Sequence, residues 1–414
     1  MTKILILSQY FYPEVGAPQT RYTELAKRFC SRGHSVTVLT AMPNYPRMEI
    51  LPEYRRKFYT REIIDNIIIH RSYIFVRNNP SLKLRLLNYF SFVFSSIITG
   101  ILKVEKQDII ICESPPLFLG ISAIILKKFL GAKLVMNIAD LWPEQAEQLG
   151  LVTNKFILRI TYKLEKFIYY HSELITGQTN GIVNNIKERF PHLKTHWLRN
   201  GIDVNNYSGF KVKPDLIRPF EKSDFILVYA GIIGYAQGLD TILKSAAELK
   251  EYHDIKFLLV GSGPEKFRLM TLKEDLELKN LSFKEPIPKD EIPGLVSMTS
   301  AGIVPLKNMP FFHGAIPSKI FDILGSSKPV LLGVKGEAYE LFITQGNCGL
   351  FFEPENYIDL SKKILQLYND RALLKALGEN GYIFVDTNFN WDKISDELLI
   401  QFDKTIINHK DNDK

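Results

Sequence analysis

The chain is predicted to fold as two α/β domains in succession, each a mainly parallel sheet flanked by helices. Three observations carry that prediction. At 414 residues the chain exceeds what one hydrophobic core usually fills. Short β-branched runs alternate with longer helical patterns, and they do so twice, over residues 4–198 and again over 225–352. Between the two series, in 205–223, Pro214 and Pro219 sit among polar and basic residues and the alternation lapses. Apolar runs bounded by turn signals and separated by helices are the mark of βαβ units, whose strands are covered on both faces. Such sheets bind ligands in the crevice at the carboxyl ends of their strands.

Taken in order, Ile4–Ser8 reads as a first buried strand, Thr20–Arg32 as a helix stopped by Gly33, and Ser35–Thr40 as the second strand. Strands follow at Ile67–Tyr73, Ile109–Cys112, Lys133–Ile138, Leu174–Gly177 and Thr195–Leu198, which makes 1–204 the first domain and 205–223 a linker. The second domain, 224–387, opens on the apolar run 225–231. It continues with strands at Lys256–Val260, Leu281–Glu285, Gly302–Pro305, Pro329–Leu332 and Gly349–Phe352. In the tail, 388–414, Trp391, Ile394, Leu398, Leu399 and Phe402 recur at helical spacing and predict a closing helix docked on the body. Two Rossmann-like domains joined by a linker are expected to leave a cleft between them.

Composition narrows the function. The net charge of +7 favours an anionic partner, yet the basic residues are dispersed and no zinc-finger spacing or RNA-binding signature accompanies them. Nucleic acid is therefore set aside. Cys30, Cys112 and Cys348 lie far apart, and the apolar N-terminal run is too short for a signal-peptide core; both point to reduced thiols in the cytoplasm. One segment points to a membrane surface. Its apolar, aromatic-rich run from Leu82 to Leu102 carries Lys83 and Arg85 at its start and is broken by Asn88, Ser91, Ser95, Ser96, Thr99 and Gly100. That run is short for a spanning helix. It suits an interfacial helix, or equally a helix buried against a sheet.

Candidate ligand-binding loops follow successive strands. Gly16 and Ala17 precede the first helix; Gly231, Gly234, Tyr235, Gln237 and Gly238 follow the strand at 225–230; Gly261 and Gly263 follow the strand ending at Val260. Small residues there let backbone N–H groups approach a phosphate or sugar, although a plain turn needs the same residues. Neither half has the full Gly-x-Gly-x-x-Gly fingerprint, which counts against a standard dinucleotide site. The most informative stretch runs from His313 to Asp322. Pro317 is read as a helix start, with Ser318 and Lys319 in the first turn: N–H groups, a hydroxyl and an ammonium together make a diphosphate site without metal. Asp322, three residues on, can accept from ribose hydroxyls, or Lys319 and Asp322 form an ordinary surface pair. Asp140 and Glu144 flank Trp142-Pro143 after a strand and read as a polar lip for sugar or acceptor hydroxyls, or as helix-capping groups. Glu113 also lies at a strand end as an acceptor-binding candidate. His313, Arg199 and Asn200 complete the set, Asn200-Gly201 being equally a turn signal.

Several of these stretches together resemble one family. Phe11-Tyr12-Pro13-Glu14-Val15-Gly16-Ala17, Ser114-Pro115-Pro116-Leu117-Phe118, Asp140-Leu141-Trp142-Pro143-Glu144, Asn200-Gly201-Ile202-Asp203, Ala236-Gln237-Gly238-Leu239 and the Ile316–Leu324 helix occur in collinear order. They look like the retaining, family-4 GT-B glycosyltransferases, especially the L-fucosamine transferase-like branch of O-antigen, capsule and colanic-acid synthesis. The resemblance implies the GT-B fold, two Rossmann-like domains with parallel sheets facing a deep interdomain cleft. It also implies that Ser318 and Lys319 contact the donor phosphates in a donor-binding segment that includes Ile316 and Pro317, that Asp322 meets the ribose, and that Pro286 and Ile287 meet the base through their backbone. Gly16 and Ala17 would approach from the first domain.

Three departures from the family pattern bear on catalysis. Its paired glutamates fall on Gly314 and Asp322, and its basic pair is replaced by Tyr235 and Gln237. The first-domain histidine has no match, and Asp140 lies in its region. Lys319, helped by His313 or Arg199, is left to carry positive charge for the leaving group, so Lys319, Asp140 and His313 are the catalytic candidates. No Asp-x-Asp joined to further acidic ligands is visible, so neither metal nor cofactor is expected. The resemblance implies a UDP-sugar donor carrying an N-acetylated hexosamine or deoxyhexosamine, and a polyprenyl-diphosphate-linked saccharide acceptor at the cytoplasmic membrane surface. An inactive GT-B binding subunit and a sugar-nucleotide epimerase stay open as alternatives.

Overall fold

A computed structural model of the chain describes residues 1–410 except 15, 46–47, 78–81, 149, 151, 208–212 and 222. The chain separates into two compact units, Met1–Asn200 with Trp391–Lys414, and Gly201–Asn390. Each unit is Rossmann-like.

In unit 1 the elements run β1 (Lys3–Leu7), α1 (Ala17–Ser31), β2 (Ser35–Ala41), β3 (Tyr59–Ile64), β4 (Ile67–Ser72), α2 (Leu82–Lys103) and β5 (Ile109–Ser114). They continue with α3 (Leu119–Leu130), β6 (Lys133–Ile138), α4 (Glu144–Gln148), α5 (Lys155–Tyr170), β7 (Leu174–Gly177), α6 (Asn180–Arg189) and β8 (Thr195–Trp197). The strands order as β3-β4-β2-β1-β5-β6-β7-β8, parallel except that β3 pairs antiparallel with β4. Alternate residues of the strands feed two cores. Leu5 and Leu7 face a cluster with Phe92 and Val93 of α2 and Ala123 and Leu126 of α3, whereas Ile4 and Ile6 face one with Tyr22, Leu25 and Phe29 of α1. The strand order reverses at β1/β5, so the loops after these two strands flank the crevice that such a reversal opens.

Strand β3 is not among the expected elements. Its side chains are half-buried or exposed and it pairs only with β4, through a turn at Asp65 and Asn66 with φ of 50° and 63°. A charged edge strand lacks the apolar run that marks its buried neighbours.

Unit 2 comprises β9 (Phe225–Ala230), α7 (Asp240–Glu248), β10 (Ile255–Val260), α8 (Lys266–Asp275), β11 (Leu281–Lys284), α9 (Ile292–Ser297) and β12 (Ala301–Pro305). After these come α10 (Lys319–Gly325), β13 (Val330–Gly333), α11 (Glu337–Tyr339), β14 (Gly349–Phe351), α12 (Tyr357–Asn369) and α13 (Arg371–Phe389). Its sheet, ordered β11-β10-β9-β12-β13-β14, is parallel throughout and reverses at β9/β12. The stretch 205–223 is not a free linker. Residues 208–212 and 222 lie outside the described set, but Leu216, Ile217 and Phe220 are buried against Ile226, Val228 and Leu258. Its prolines and charges mask an apolar edge that the unit 2 core takes up.

The chain then returns to unit 1 as α14 (Trp391–Lys410). Trp391, Ile394, Leu398 and Phe402 complete the core beneath α1, with Phe402 edge-on to Phe29 at 5.9 Å between ring centroids.

Candidate functional site

The site in unit 2 is built at the strand-order reversal. After β9 the chain enters the loop Gly231–Gly238, and after β10 the loop Gly261–Glu265. Backbone bonds lace the two together: Gly231 N–H to Val260 O at 2.9 Å, Ile233 N–H to Ser262 O at 2.8 Å, and Glu265 N–H to Ile233 O at 3.1 Å. Gly261 and Gly263 have φ of 153° and 155°, and a Cβ on either would stand 1.9 Å from Gly231 O or 2.3 Å from Ile233 O. These glycines are therefore required by the packing of one loop on the other, whatever else approaches them. Gly234 differs: its φ is −119°, and a Cβ there would meet only an Ile232 methyl at 3.4 Å.

On the other side of the reversal, the chain beyond β12 brings two lysines against the β9 loop. Lys319 opens α10, with Ser318 as the preceding residue and Pro317 and Ile316 outside the helix. Its ammonium donates to Gln237 Oε1 at 2.7 Å and to Tyr229 Oη at 3.0 Å, and stands 4.1 Å from the centre of the Tyr229 ring. Burial lowers this lysine to about 7. Lys307 follows β12; its backbone N–H donates to Ala236 O at 3.0 Å and its ammonium sits 3.0 Å from the centre of the Tyr235 ring. Thus Tyr235 and Gln237, the two residues at the expected basic-pair positions, each hold a lysine that arrives from elsewhere in the chain. Asp322 Oδ1 accepts from the Tyr207 hydroxyl at 2.6 Å, and burial raises its carboxyl. Pro286 is exposed and Ile287 packs at the edge of the unit 2 core.

His313 is exposed on a short 3-10 turn, Pro310–Gly314, and it is not a hydrogen-bond partner of Lys319. Its backbone has the visible structural role: a Cβ on Gly336 would lie 2.1 Å from the His313 carbonyl oxygen.

In unit 1 several expected ligand groups are committed to one another. Glu113 is buried at the end of β5, with Oε1 bound by Arg21 at 3.0 Å and Oε2 by Asn137 at 2.6 Å and by the Tyr22 hydroxyl. Burial pushes its carboxyl up, against the pull of Arg21 and these donors. Asn200 Oδ1 accepts twice from the same Arg21, at 2.8 and 3.0 Å. Arg199 is neutralised by Glu397 of α14 in a two-pronged pair at 2.7 and 3.0 Å. Glu144 accepts from Gln148 and Asn185, both at 3.2 Å. These polar groups lie where strands and helices meet, and the fold itself uses them.

Asp140 stays half-buried beyond β6, accepting one bond from Gln145 at 3.2 Å. Gly16, with φ of 173°, precedes the first residue of α1, Ala17, while Val15 lies outside the described residues. The loop before it is pinned by Glu14, whose carboxylate accepts from the backbone N–H groups of Asn44 and Tyr45 at 2.7 Å each. Glu14, Tyr229 and Lys307 are not among the candidate site residues of the sequence. Only Glu14 had a signal, as an acid inside an otherwise apolar and small-residue motif.

Two family models match the chain, Glycosyltransferase Family 4 over residues 19–206 and Glycosyl transferases group 1 over residues 216–384. Among curated relatives, a protein named for colanic acid biosynthesis, the glycosyl transferase WcaI of Escherichia coli K12, is 26% identical over 369 residues, covering 86% of this chain and 89% of WcaI. Among solved structures, sucrose-phosphate synthase from Thermosynechococcus elongatus aligns with a TM-score of 0.74 at 15% identity, over 98% of this chain and 99% of that one. Anabaena Alr3699/HepE in complex with UDP-glucose aligns with a TM-score of 0.69 at 16% identity, over 98% and 100%. The structural likenesses give the fold, the matched models and the relative give the class, and the chain belongs to the GT-B glycosyltransferases of the group 1 and family 4 type.

Proposed function

We propose that the chain is a retaining, metal-independent hexosyltransferase. In this reading it moves an N-acetylated hexosamine or deoxyhexosamine from a UDP-sugar to a polyprenyl-diphosphate-linked saccharide, in bacterial O-antigen or capsule synthesis. It works in the cytoplasm at the inner face of the membrane. The observation that carries the reading is the pair of lysines at the unit 2 strand reversal, Lys319 on Gln237 and Lys307 on Tyr235. They return positive charge to the two positions where the resembling family carries it. The name of WcaI supports the polysaccharide setting, and UDP-glucose in the HepE complex supports a UDP-sugar donor.

In the proposed step the bond between the anomeric carbon and the β-phosphate oxygen breaks. The acceptor hydroxyl oxygen joins that carbon on the same face, and its proton passes to the departing phosphate oxygen. Negative charge therefore grows on the diphosphate, where fixed cations and N–H donors act most strongly. Lys319 and Lys307 fill that role, with Ser318 beside them. Asp322 meets the ribose through the oxygen that Tyr207 leaves, and the backbone of Pro286 and Ile287 meets the base. Gly16, Ala17 and Asp140 are the unit 1 groups retained for sugar and acceptor hydroxyls. Among the described residues no group of three or more His, Cys, Asp or Glu side chains is placed to hold a metal ion.

A thermal-shift screen of nucleotides and nucleotide sugars with EDTA present tests the donor site, comparing the natural chain with Lys319→Ala. Ligand bound to the native state raises the melting temperature by mass action. A rise given by UDP or UDP-sugars alone, and lost in the variant, is the expected outcome. A chain that no nucleotide stabilises would sink the assignment and bring the inactive-subunit reading forward.

A further inference from the structure

Helix α2 buries polar residues beside the apolar Phe92 and Val93 on its inner face. Asn88 accepts from Gln9 at 2.9 Å and donates to Phe75 O at 2.7 Å, Ser91 Oγ accepts from Phe75 N–H at 2.8 Å, and Ser96 pairs with Ser122 at 2.9 Å. The residues that interrupt the apolar run are thus those that tie the helix to its own unit. Its outer face carries an apolar stripe between the exposed Lys83 and Arg85 at one end and Lys103 at the other: Phe94, Ile98 and Leu102 are 65%, 60% and 69% exposed, at the spacing of one helical stripe.

The antiparallel β3–β4 pair, missed in the sequence, supplies the opposite wall. Phe58, 76% exposed, stacks on Tyr73 at 5.3 Å, and between them and α2 lies an apolar groove of about 560 Å³. That volume is of the order of small-molecule pockets. Cations rim it. Arg55, Arg56 and Lys57 are exposed in the turn that leads into Phe58, and Lys103 closes the far end with its ammonium 5.6 Å from the Tyr59 ring centre. Of the hairpin's carboxylates, Glu62 is taken up by Arg71 at 3.0 Å and Asp65 by Lys27 at 3.2 Å, while Glu53 is exposed in the segment that carries the three cations.

We infer that this groove is a lipid-docking site: hydrocarbon chains of an anionic phospholipid surface enter between Phe58, Phe94 and Ile98 while Arg55, Arg56, Lys57 and Lys103 meet the phosphate headgroups. The charge of the rim selects this occupant. A second copy would bring the same cations face to face, whereas an anionic surface satisfies them and the apolar stripe together. An apolar face and a basic cluster are also the two signals that stable peripheral anchoring needs. The inference rests on the proposed transfer reaction only for its purpose, that of holding the chain where a lipid-linked acceptor lies.

Co-sedimentation of the full chain with vesicles tests it. Binding is expected with phosphatidylglycerol present and to be weak with phosphatidylcholine alone. Arg55→Gln/Arg56→Gln/Lys57→Gln should lower partitioning at least about tenfold, each cation near an anionic surface adding to affinity. Phe94→Ser/Ile98→Ser, both at exposed positions, should do the same with an unchanged melting temperature. In Phe94→Trp the added indole should shift to the blue and be quenched by brominated phosphatidylglycerol. Equal partitioning of the natural chain and the Phe94→Ser/Ile98→Ser variant, or a natural chain that stays in solution with anionic vesicles, overturns the site. So does a natural chain that is dimeric where that variant is monomeric. Turnover on a short-chain, water-soluble acceptor separates the two readings: the groove variants leave it intact, whereas a chain inert in that assay fails the transfer reading and leaves the vesicle result standing.

Discussion

At the residue scale, Lys319 ties stability to function with opposite signs. Its folded value is about 7 against 10.5 for an unburied lysine. Between those two pH values the unfolded chain binds a proton that the folded chain lacks, so stability rises with pH through that window. Below pH 7 the cost of burial is fully present, and above 10.5 it vanishes. Lys319→Met, apolar and of similar length, should therefore melt higher than the natural chain at pH 7 without donor, with the gap closing as pH approaches 10.5. The same variant should lose turnover by about 100- to 1,000-fold, the usual loss when one group stabilising developing negative charge is removed. A variant no more stable than the natural chain at pH 7 would remove the claim that burial depresses this lysine. Glu113 makes the contrasting case. Buried among Arg21, Tyr22 and Asn137, it acts on the fold, and Glu113→Ala should cost about 3–5 kcal/mol by leaving the Arg21 guanidinium buried without its counter-charge. Urea titration reads that loss; an unchanged midpoint would return Glu113 to the list of acceptor ligands. Sequence could name Lys319 and Glu113 as chemically interesting, but not separate their roles. That separation comes from who else shares the enclosure, and those partners lie 24 to 92 positions away.

At the element scale, the alternation of apolar runs and helices made the parallel strands legible, because a strand covered on both faces must be apolar throughout. Strand β3 escaped for the converse reason: an edge strand can carry Arg61 and Glu62, and only the Asp65-Asn66 turn announced it. The ligand loops were legible as glycine-rich punctuation, but what each glycine does was not. Gly261 and Gly234 look alike in sequence, and the structure divides them. Gly261→Ala places a methyl 1.9 Å from Gly231 O at a backbone φ of 153°, so it should lower the melting temperature markedly and donor affinity with it. Gly234→Ala needs only a few tenths of an ångström from an Ile232 methyl at ordinary φ, so stability should hold within about 0.5 kcal/mol. If Gly234→Ala nevertheless weakens donor binding in a calorimetric titration, the methyl reports a ligand that comes close to that backbone. If it alters neither stability nor affinity, the β9 loop at Gly234 is a turn and no more. Lys307 was invisible for a topological reason: nothing in the local sequence says that the chain after β12 lies beside the loop after β9, and only the sheet order β9-β12 does.

At the scale of the whole molecule, the chain's last helix belongs to its first unit. The apolar spacing of Trp391, Ile394, Leu398 and Phe402 predicted a docked helix, and the structure adds its polar fastening. Arg32 reaches Asp392 and Asp396, and Arg199 holds Glu397 with both prongs. The exposed pairs of this set contribute little individually, so the apolar face is the main attachment. Phe402, 1% exposed and in edge contact with Phe29, is its anchor, and Phe402→Ala should cost about 3–5 kcal/mol. The loss has a distinctive address. Because the core that loses Phe402 is the one shared by α1, β1 and β2, amide hydrogen exchange should quicken in those elements, while β9, β10 and β12 of unit 2 keep their protection. A chain ending at Asn390 should show the same pattern more strongly, since it uncovers the whole face formed by Tyr22, Leu25 and Phe29. Equal loss of protection in both sheets would mean that the units unfold as one, and that α14 stabilises more than the core it touches. Quickening confined to unit 1 would instead make the C-terminal helix a structural part of that unit, joined to it by packing rather than by chain order.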